Sequence, residues 1–515
     1  MVTRKHRTGM DHLDIIFCSI PYRDLDHIYS APAILKSIVV NNGYTAMTKD
    51  FGLDLLELCN NDTDLLDRIQ QYFITAENNL SESENTILNN FYSRVVDFFK
   101  THPSKFIGIS VFSIFTHKST VDILTLLKQH RISSKIIVGG RGVKVPINIA
   151  AQRIANPSKL EKMLELGEFL KKRKLVDYAV VGDGEDAILD ILKGDELKYN
   201  YNTETFNYPL PDYSDYDFSK YLWNDGPVMF PITGSKGCVR DCDFCDIKYQ
   251  FGKYKYRNGK DIANEMIYIA ENLGYRKFQF TDSLVNGGLK ILEEFCTIIA
   301  DYNDKNPDNT ISWNGQYICR PASEMPERLY PLMAKSGAHG LTIGAESGSD
   351  HVLDQMNKKT DVESLFYELE QFEKYKITCV LLTFVGHWAE THDDFVNHCG
   401  TIVKILPYIR SGTISALSLG ATAVMLEGTP SMKYVADQQI VLSEFNQDFV
   451  WYAKFNSSNT YKERILRRLV LHMLAKRLAI PIRDEWNFLN IANVIIEKHH
   501  REINEFYQEC TRNFR

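Results

Sequence analysis

The stretch GCVRDCDFCDIKYQFGKYKYR, residues 237–257, sets Cys238, Cys242 and Cys245 in a C-x3-C-x2-C spacing. Clustered thiolates are the usual ligands of iron–sulfur clusters. Three cysteines can hold three irons of a cubane and leave the fourth open to a small molecule, whereas a site closed by four thiolates has no such vacancy. Other readings are a zinc site, whose fourth ligand would have to be His339, His351 or His387, a redox-sensing thiol group, or chance. The other seven cysteines, at 18, 59, 296, 319, 379, 399 and 510, stand singly, several in apolar segments. They are expected as buried thiols.

Outward from the triplet, apolar runs alternate with helical spacing. The expected strands are 228–235, 276–282, 310–317, 340–346, 378–386 and 414–422. Six strand–helix units predict a partial (β/α)6 barrel of the TIM type over 228–430, with its chemistry at the C-terminal ends of the strands. The cysteines, Asp282, Arg320, Glu346 and Gly386 all fall at or just after such ends. Residues 431–515, with periodic Leu, Ile and Val among many charges, are expected to form a helical C-terminal region.

Upstream, LDIIFCSI (13–20), YTAMTKD (44–50), FIGISVF (106–112) and KIIVGG (135–140) read as strands. Residues 31–42 read as a helix stopped by Gly43, and 60–102 as helical with starts at Asp62, Asp64 or Ser81. Residues 176–194 read as strand, glycine turn and helix. This alternation predicts an α/β, doubly wound, Rossmann-like domain over 1–195. The stretch 196–227, rich in Tyr, Asp, Asn and Pro with no clear period, reads as a linker.

The balance of 44% hydrophobic and 24% charged residues is that of a globular chain. A net charge of −7 gives no whole-protein reason to expect nucleic-acid binding. The basic start, MVTRKHRTGMDHLDIIF, has an apolar run broken by Asp11 and Asp14 and does not read as a secretory signal. No stretch is long and apolar enough to span a bilayer. The expectation is a cytoplasmic protein without a membrane partner.

The cysteine spacing, with Phe244 just before the third cysteine, resembles the radical S-adenosylmethionine (SAM) superfamily. Three downstream segments carry the same resemblance. GAESGSDHVLDQMNK (344–358) is similar to the segment after the fourth barrel strand, and FVGHWAETHDDF (384–395) to that after the fifth. There, His387-Trp388-Ala389 replaces the usual Leu-Pro-Gly. MLEGTPSMKYV (425–435) is similar to the segment after the sixth, with Glu427 where Pro is usual. The resemblance implies an enzyme with a 4Fe-4S cluster on Cys238, Cys242 and Cys245. Its open iron would bind SAM, whose cleavage yields a 5′-deoxyadenosyl radical. An electron donor such as a flavodoxin or ferredoxin, and a small-molecule or peptide substrate, are implied as partners.

The resemblance also assigns SAM contacts. Glu346 and Ser347 match the ribose position, although a carboxylate there equally suits a helix N-terminus. Arg320 can pair with the SAM carboxylate or with a barrel carboxylate. Asp282 can meet SAM or substrate, or cap a helix. Gly386 matches a position near adenine or is a turn glycine, and Phe244 can face adenine. The N-terminal half resembles the cobalamin-binding domain often joined to such barrels. Ser110, Gly139 and Gly140 would line that pocket, and Phe112, Phe115 and Tyr22 would seal its face or fill the core. The D-x-H-x-x-G motif that supplies a cobalt ligand in some cobalamin proteins is absent. The resemblance therefore implies a cobalamin-dependent methyltransferase acting on an unactivated centre. A cyclisation, rearrangement or oxidation without cobalamin is the other enzymatic reading, and a non-catalytic cluster- or corrinoid-binding protein is a third.

Overall fold

The structure is a computed structural model of the 515-residue chain. It describes residues 12–21, 25, 27–75, 77–147, 164–197, 207–222, 229–426, 428–443, 450–483 and 498–512. The chain divides into two compact units, Met1–Pro231 and Ile232–Arg515. Both are α/β, and both are built on parallel strands.

In the first unit, β1 (Leu13–Ser19), β2 (Ala46–Asp50), β3 (Ser104–Ser110), β4 (Lys135–Gly139) and β5 (Tyr178–Ala179) form one sheet in the order β2-β1-β3-β4-β5. Every pairing is parallel. Sheets covered by helices on both faces bury whole strands, hence the unbroken apolar runs Ile15-Ile16-Phe17-Cys18 and Ile136-Ile137-Val138, all buried. The helix Ala31–Asn41 stops before Gly43, whose φ of +86° suits glycine. Ser81 starts the helix Glu82–Thr101 with a capping box: it accepts from the Glu84 N–H, and Glu84 accepts from the Ser81 N–H. The sequence reading misses the helix Phe51–Leu58. It follows β2 without a loop, because Asp50 both ends the strand and caps the helix by accepting from the Gly52 N–H.

The stretch read as a linker is tied to this unit wherever it is described. Lys36 donates to Asp215 at 2.7 Å, Ser37 to the Leu210 carbonyl at 2.6 Å and Tyr221 to Asp50 at 2.9 Å. Tyr208, Tyr213 and Tyr221 are buried. A tyrosine can bury its ring and still satisfy its hydroxyl, so this stretch packs without a helical or strand period. Residues 198–206 and 223–227 lie outside the described residues.

The second unit begins within β6 (Phe230–Ile232), which is followed by β7 (Ser235–Lys236), β8 (Lys255–Tyr256), β9 (Lys277–Phe280), β10 (Ser312–Asn314), β11 (Gln316–Tyr317), β12 (Leu341–Glu346), β13 (Cys379–Thr383) and β14 (Ile414–Ser418). Two sheets run β10-β9-β6 and β11-β12-β13-β14. The pairings β9–β10, β11–β12, β12–β13 and β13–β14 are all parallel. The single strand expected over 310–317 is split at Gly315. A Cβ there would stand 2.5 Å from Val285 Cγ1 and 2.9 Å from Phe280 Cβ, so close packing demands glycine and the backbone changes partner at that point.

The stretch 431–515 is not wholly helical. It contains an antiparallel ribbon of β15 (Ile440–Leu442) and β16 (Trp451–Ala453). The helix Tyr461–Arg477 then buries Arg464, Arg467 and Arg468. Arg464 lies 3.8 Å over the Trp451 ring, and Arg467 pairs with Glu390 at 3.0 Å. Among the described residues no helix is long and apolar enough to cross a membrane.

Candidate functional site

The cysteines occupy the loop that leaves β7 and returns through β8, and the antiparallel pairing of these strands closes its base. Cys242 is buried, while Cys238 and Cys245 are half-buried. Burial pushes the Cys242 thiol up to about 12, against the lowering charge of Lys358 and with smaller raising contributions from Glu346 and the other two thiols. Among the described residues, no three His, Cys, Asp or Glu side chains gather as ligands of a single ion. A cubane places each thiolate on a separate iron, and the three cysteines share one loop. The histidines offered as a fourth zinc ligand are engaged elsewhere: His387 with Asp243 at 3.1 Å, His351 with Asp394 at 2.9 Å and His339 with the Gly337 carbonyl at 3.3 Å.

Asp243, between the second and third cysteines, ties the loop to three neighbouring segments. Its carboxylate accepts from Trp388 Nε1 at 2.7 Å and meets His387 Nε2 at 3.1 Å. Its N–H donates to the Met356 carbonyl at 3.0 Å, and its carbonyl accepts from the Ser431 N–H at 2.9 Å. Asn357 adds a bond to the Asp241 carbonyl at 2.7 Å. These partners follow β12, β13 and β14. His387 and Trp388 are the residues that replace the usual Leu-Pro pair, so the departure coincides with a different hold on the loop. Phe244 packs on Val352, Leu353 and Met356, with its ring 5.1 Å from that of Phe384.

Glu346 ends β12 at a φ of +60°, where the register with β13 shifts. A non-glycine residue in this region is strained by roughly 1 kcal/mol. Its carboxylate accepts from Lys358 at 2.6 Å. Ser347 is buried, and its hydroxyl accepts from the Ser349 N–H at 3.2 Å. Arg320 donates to the carbonyls of Asn286 at 2.9 Å and Gly287 at 3.2 Å and pairs with Glu324 at 3.4 Å. Asp282 accepts from the Gly234 N–H at 2.8 Å and the Ser235 hydroxyl at 2.6 Å, which fixes the entry to the cysteine loop. Burial pushes its carboxyl up to about 7. Gly386, at a φ of +83°, gives its N–H to Glu390 at 2.7 Å, and the Arg464 side chain fills the space where a Cβ would stand.

In the first unit the strand order reverses between β1 and β3. Parallel sheets bind ligands outside the carboxyl ends at such a point. Ser110 ends β3 and Gly139 ends β4; Gly140, at a φ of +106°, has no room for a Cβ beneath the Val111 carbonyl. Phe112, 48% exposed, faces outward with its ring 5.1 Å from Tyr29, and Ile114 is 39% exposed. Phe115 is half-buried, and Tyr22 lies outside the described residues, as does Glu427. His117 is buried against the Gly142 carbonyl at 2.9 Å and pushed down to about 4 by desolvation.

Asp243 and Lys358 both lie within quoted motifs, yet the sequence reading gave neither a role. Spacing singles out the cysteines, but only the fold brings Lys358 and the partners of Asp243 to their loop.

The cysteine loop opens a parallel strand–helix series and is faced by a carboxylate from β12. Residues 232–402 match the family model of the radical SAM superfamily. The chain therefore carries a radical SAM domain, which takes a 4Fe-4S cluster and SAM. A cytidylyl-2-hydroxyethylphosphonate methyltransferase of Streptomyces wedmorensis is 25% identical over 162 residues, 29% of this chain and 28% of that one. An anaerobic magnesium-protoporphyrin IX monomethyl ester cyclase of Synechocystis sp. is 23% identical over 254 residues, 44% of this chain and 49% of that one. The matches thus span about a quarter and about half of these relatives' own length. The fold is similar to that of the radical SAM methyltransferase TsrM of Kitasatospora setae with cobalamin and a [4Fe-4S] cluster bound, with a TM-score of 0.61, 12% identity and coverage of 97% of this chain and 99% of that one. It is also similar to the cobalamin-dependent radical SAM enzyme OxsB with aqua-cobalamin bound, with a TM-score of 0.61, 14% identity and coverage of 97% and 73%.

Proposed function

We propose that this protein is a cobalamin-dependent radical SAM methyltransferase acting on an unactivated centre. The cysteine loop after β7, faced by Glu346, carries the radical SAM part of the reading. The methyltransferase part rests on the first unit: its strand order, the bare backbone at Gly139-Gly140 and the exposed apolar side chains Phe112 and Ile114 suit a broad macrocycle. Ser110, Gly139 and Gly140 line that site. His117 is held in the core against the Gly142 carbonyl, and the D-x-H-x-x-G motif is absent from the sequence. The architecture we read is a Rossmann-like domain, a partial (β/α)6 barrel and a C-terminal extension, in a cytoplasmic protein.

When bound, the cluster and SAM supply an organic radical and cobalamin supplies a transferable methyl group. Cys238, Cys242 and Cys245 would hold the cluster, three thiolates for four irons. Glu346 offers its second carboxylate oxygen to the ribose hydroxyls while Lys358 holds the first. Ser347 supports this turn, and Phe244 offers an apolar edge for adenine. Arg320 and Asp282 are committed to neighbouring backbone and side-chain groups, so both shape the loops around SAM. Gly386 brings the backbone after β13 close to the site. A flavodoxin- or ferredoxin-type donor supplies the electron, and the substrate is a small molecule or peptide.

The test is 5′-deoxyadenosine and methyl-transfer analysis of anaerobically reconstituted protein, with corrinoid extraction and a Cys242→Ala control. SAM turnover lost in the variant, together with bound corrinoid, supports the reading. SAM cleavage without corrinoid binding favours a cyclase or other cobalamin-free radical enzyme, the reading that the similarity to the protoporphyrin ester cyclase supports. Cluster or corrinoid binding with no SAM binding indicates a non-catalytic carrier.

A further inference from the structure

Around the cysteine loop the surface of the second unit runs against the charge of the chain. The whole sequence has a net charge of −7, yet residues 248–260, KYQFGKYKYRNGK, hold five Lys or Arg and no Asp or Glu. Lys255 and Arg257 are buried, while Lys248, Lys253 and Lys260 are exposed. Tyr249, 39% exposed, lies over Gly428 and fills the place that a Cβ would take there. This carries the face onto the segment after β14, where the Ser431 N–H holds the Asp243 carbonyl at 2.9 Å. Lys433 stands 4.7 Å from the centre of the Tyr434 ring, and Tyr434 packs on Trp388 with ring centroids 4.5 Å apart. Phe455, 50% exposed, lies 5.6 Å from the Trp388 ring and 6.3 Å from that of Tyr434. Trp388 itself is buried and donates to Asp243 at 2.7 Å. A packed line of rings therefore runs from solvent at Phe455 to the residue between Cys242 and Cys245. Beside Phe455 is a shallow hollow of about 380 Å³ lined by Gln438, Gln439 and Lys454, with no acid in it. Among the described residues, Lys253, Lys433 and Lys454 have no carboxylate partner, and the exposed acids on these segments are Asp241, paired with Lys248 at 3.1 Å, and Asp437.

A single exposed aromatic is ordinary, but aromatic side chains rimmed by charge have the make-up of a protein-binding face, and unmatched charge steers a partner of the opposite sign. The charge of this face selects an acidic partner, and its continuity with the cysteine loop selects one that acts on the cluster. We propose that the face formed by Lys248, Tyr249, Lys253, Lys433, Lys454 and Phe455 is the docking surface of an acidic electron-donor protein of the flavodoxin or ferredoxin class. The inference rests on the radical SAM reading of this loop. One electron passes from the reduced flavin or iron–sulfur centre of the donor to the oxidised cluster; the donor is oxidised, the cluster is reduced, and no bond forms or breaks. Trp388, which stands in the place of the usual Leu-Pro pair with His387, is the ring that joins this face to the loop.

The test is stopped-flow reduction of the anaerobically reconstituted full chain, read as bleaching of the cluster absorbance. The reductants are a reduced flavodoxin, a reduced [2Fe-2S] ferredoxin and, as a small neutral reductant, photoreduced deazaflavin. At low salt the double variant Lys433→Glu/Lys454→Glu should be reduced about tenfold more slowly by the protein donor that serves the wild type, and added salt should slow the wild type but not the variant. Phe455→Ala should raise the half-saturating donor concentration about fivefold. Deazaflavin should reduce all three proteins at one rate. Equal rates with the protein donors overturn the proposal. So does a slowing that extends to deazaflavin, because the substitutions then disturb the cluster and not the docking. A wild type that neither protein donor reduces overturns it too, as does a double variant that loses only self-association or nucleic-acid binding. A chain that assembles no cluster on iron and sulfide analysis, or whose reduced cluster neither binds nor cleaves SAM, refutes the radical SAM reading and this inference with it; equal donor rates in a chain that cleaves SAM refute the inference alone.

Discussion

Replacing Arg467 by Met should make stability steeply pH-dependent. Arg467 and Glu390 are both buried, 0% and 2% exposed, and meet at 3.0 Å. Removing one partner of a buried ion pair costs about 3–5 kcal/mol. In Arg467→Met, Glu390 keeps the Gly386 N–H at 2.7 Å but loses the neighbouring positive charge. Burial already raises the Glu390 carboxyl, and Arg467 is the largest opposing influence. Without it the folded-state value rises further above the unfolded value. A raised carboxyl favours the fold while protonated, so its contribution is complete below the unfolded value and is lost as pH rises through the folded value. The loss should therefore be largest at pH 7–8 and shrink toward pH 5, by up to roughly 1.4 kcal/mol per pH unit across that interval. Adding Glu390→Gln should recover most of it, because an amide oxygen can still accept from Gly386. Urea unfolding at several pH values, with circular dichroism as the probe, measures this directly. A deficit under about 1 kcal/mol, or one that does not change with pH, would refute the claim that this pair joins the helix Tyr461–Arg477 to the segment after β13.

Asp243→Ala leaves Trp388 Nε1 and His387 Nε2 without their buried acceptor, a loss of about 1–3 kcal/mol for each; reconstituted protein should carry less iron, and tryptophan fluorescence of the metal-free protein should change. Asp282 has a folded-state carboxyl near 7, so it penalises the fold as pH rises from about 4 to 7; Asp282→Asn should flatten that part of a stability–pH curve, and an unchanged slope would place its carboxyl elsewhere. Ser81→Ala removes the capping box of Glu82–Thr101 and should cost about 1 kcal/mol in thermal or urea unfolding, without altering cluster assembly in the second unit.

What the sequence displays and what it conceals divide along the kind of interaction. Apolar runs and glycine stops reveal the first-unit strands and the second-unit β/α series, because burial of whole strands leaves a mark in composition. The cysteine triplet stands out in the sequence because its spacing is itself the signal. Elements escape where one residue does two jobs: Asp50 ends a strand and caps a helix, and Gly315 passes one run between two sheets. The deeper concealment is electrostatic. Arg464, Arg467 and Lys358 stand among residues that composition assigns to a solvated surface, yet each is buried against a ring or a carboxylate that lies a dozen or more residues away along the chain. No local period encodes such a pairing, since a charge is buried only when the fold delivers its partner. His387 and Trp388 show the same limit from the other side. Read along the chain, they are an odd replacement for Leu-Pro; in the fold they are donors to Asp243, and the substitution makes sense only with the cysteine loop beside it. Departures from a family pattern at a strand end are therefore best read together with the loop they face, where the compensating acceptor or charge is found.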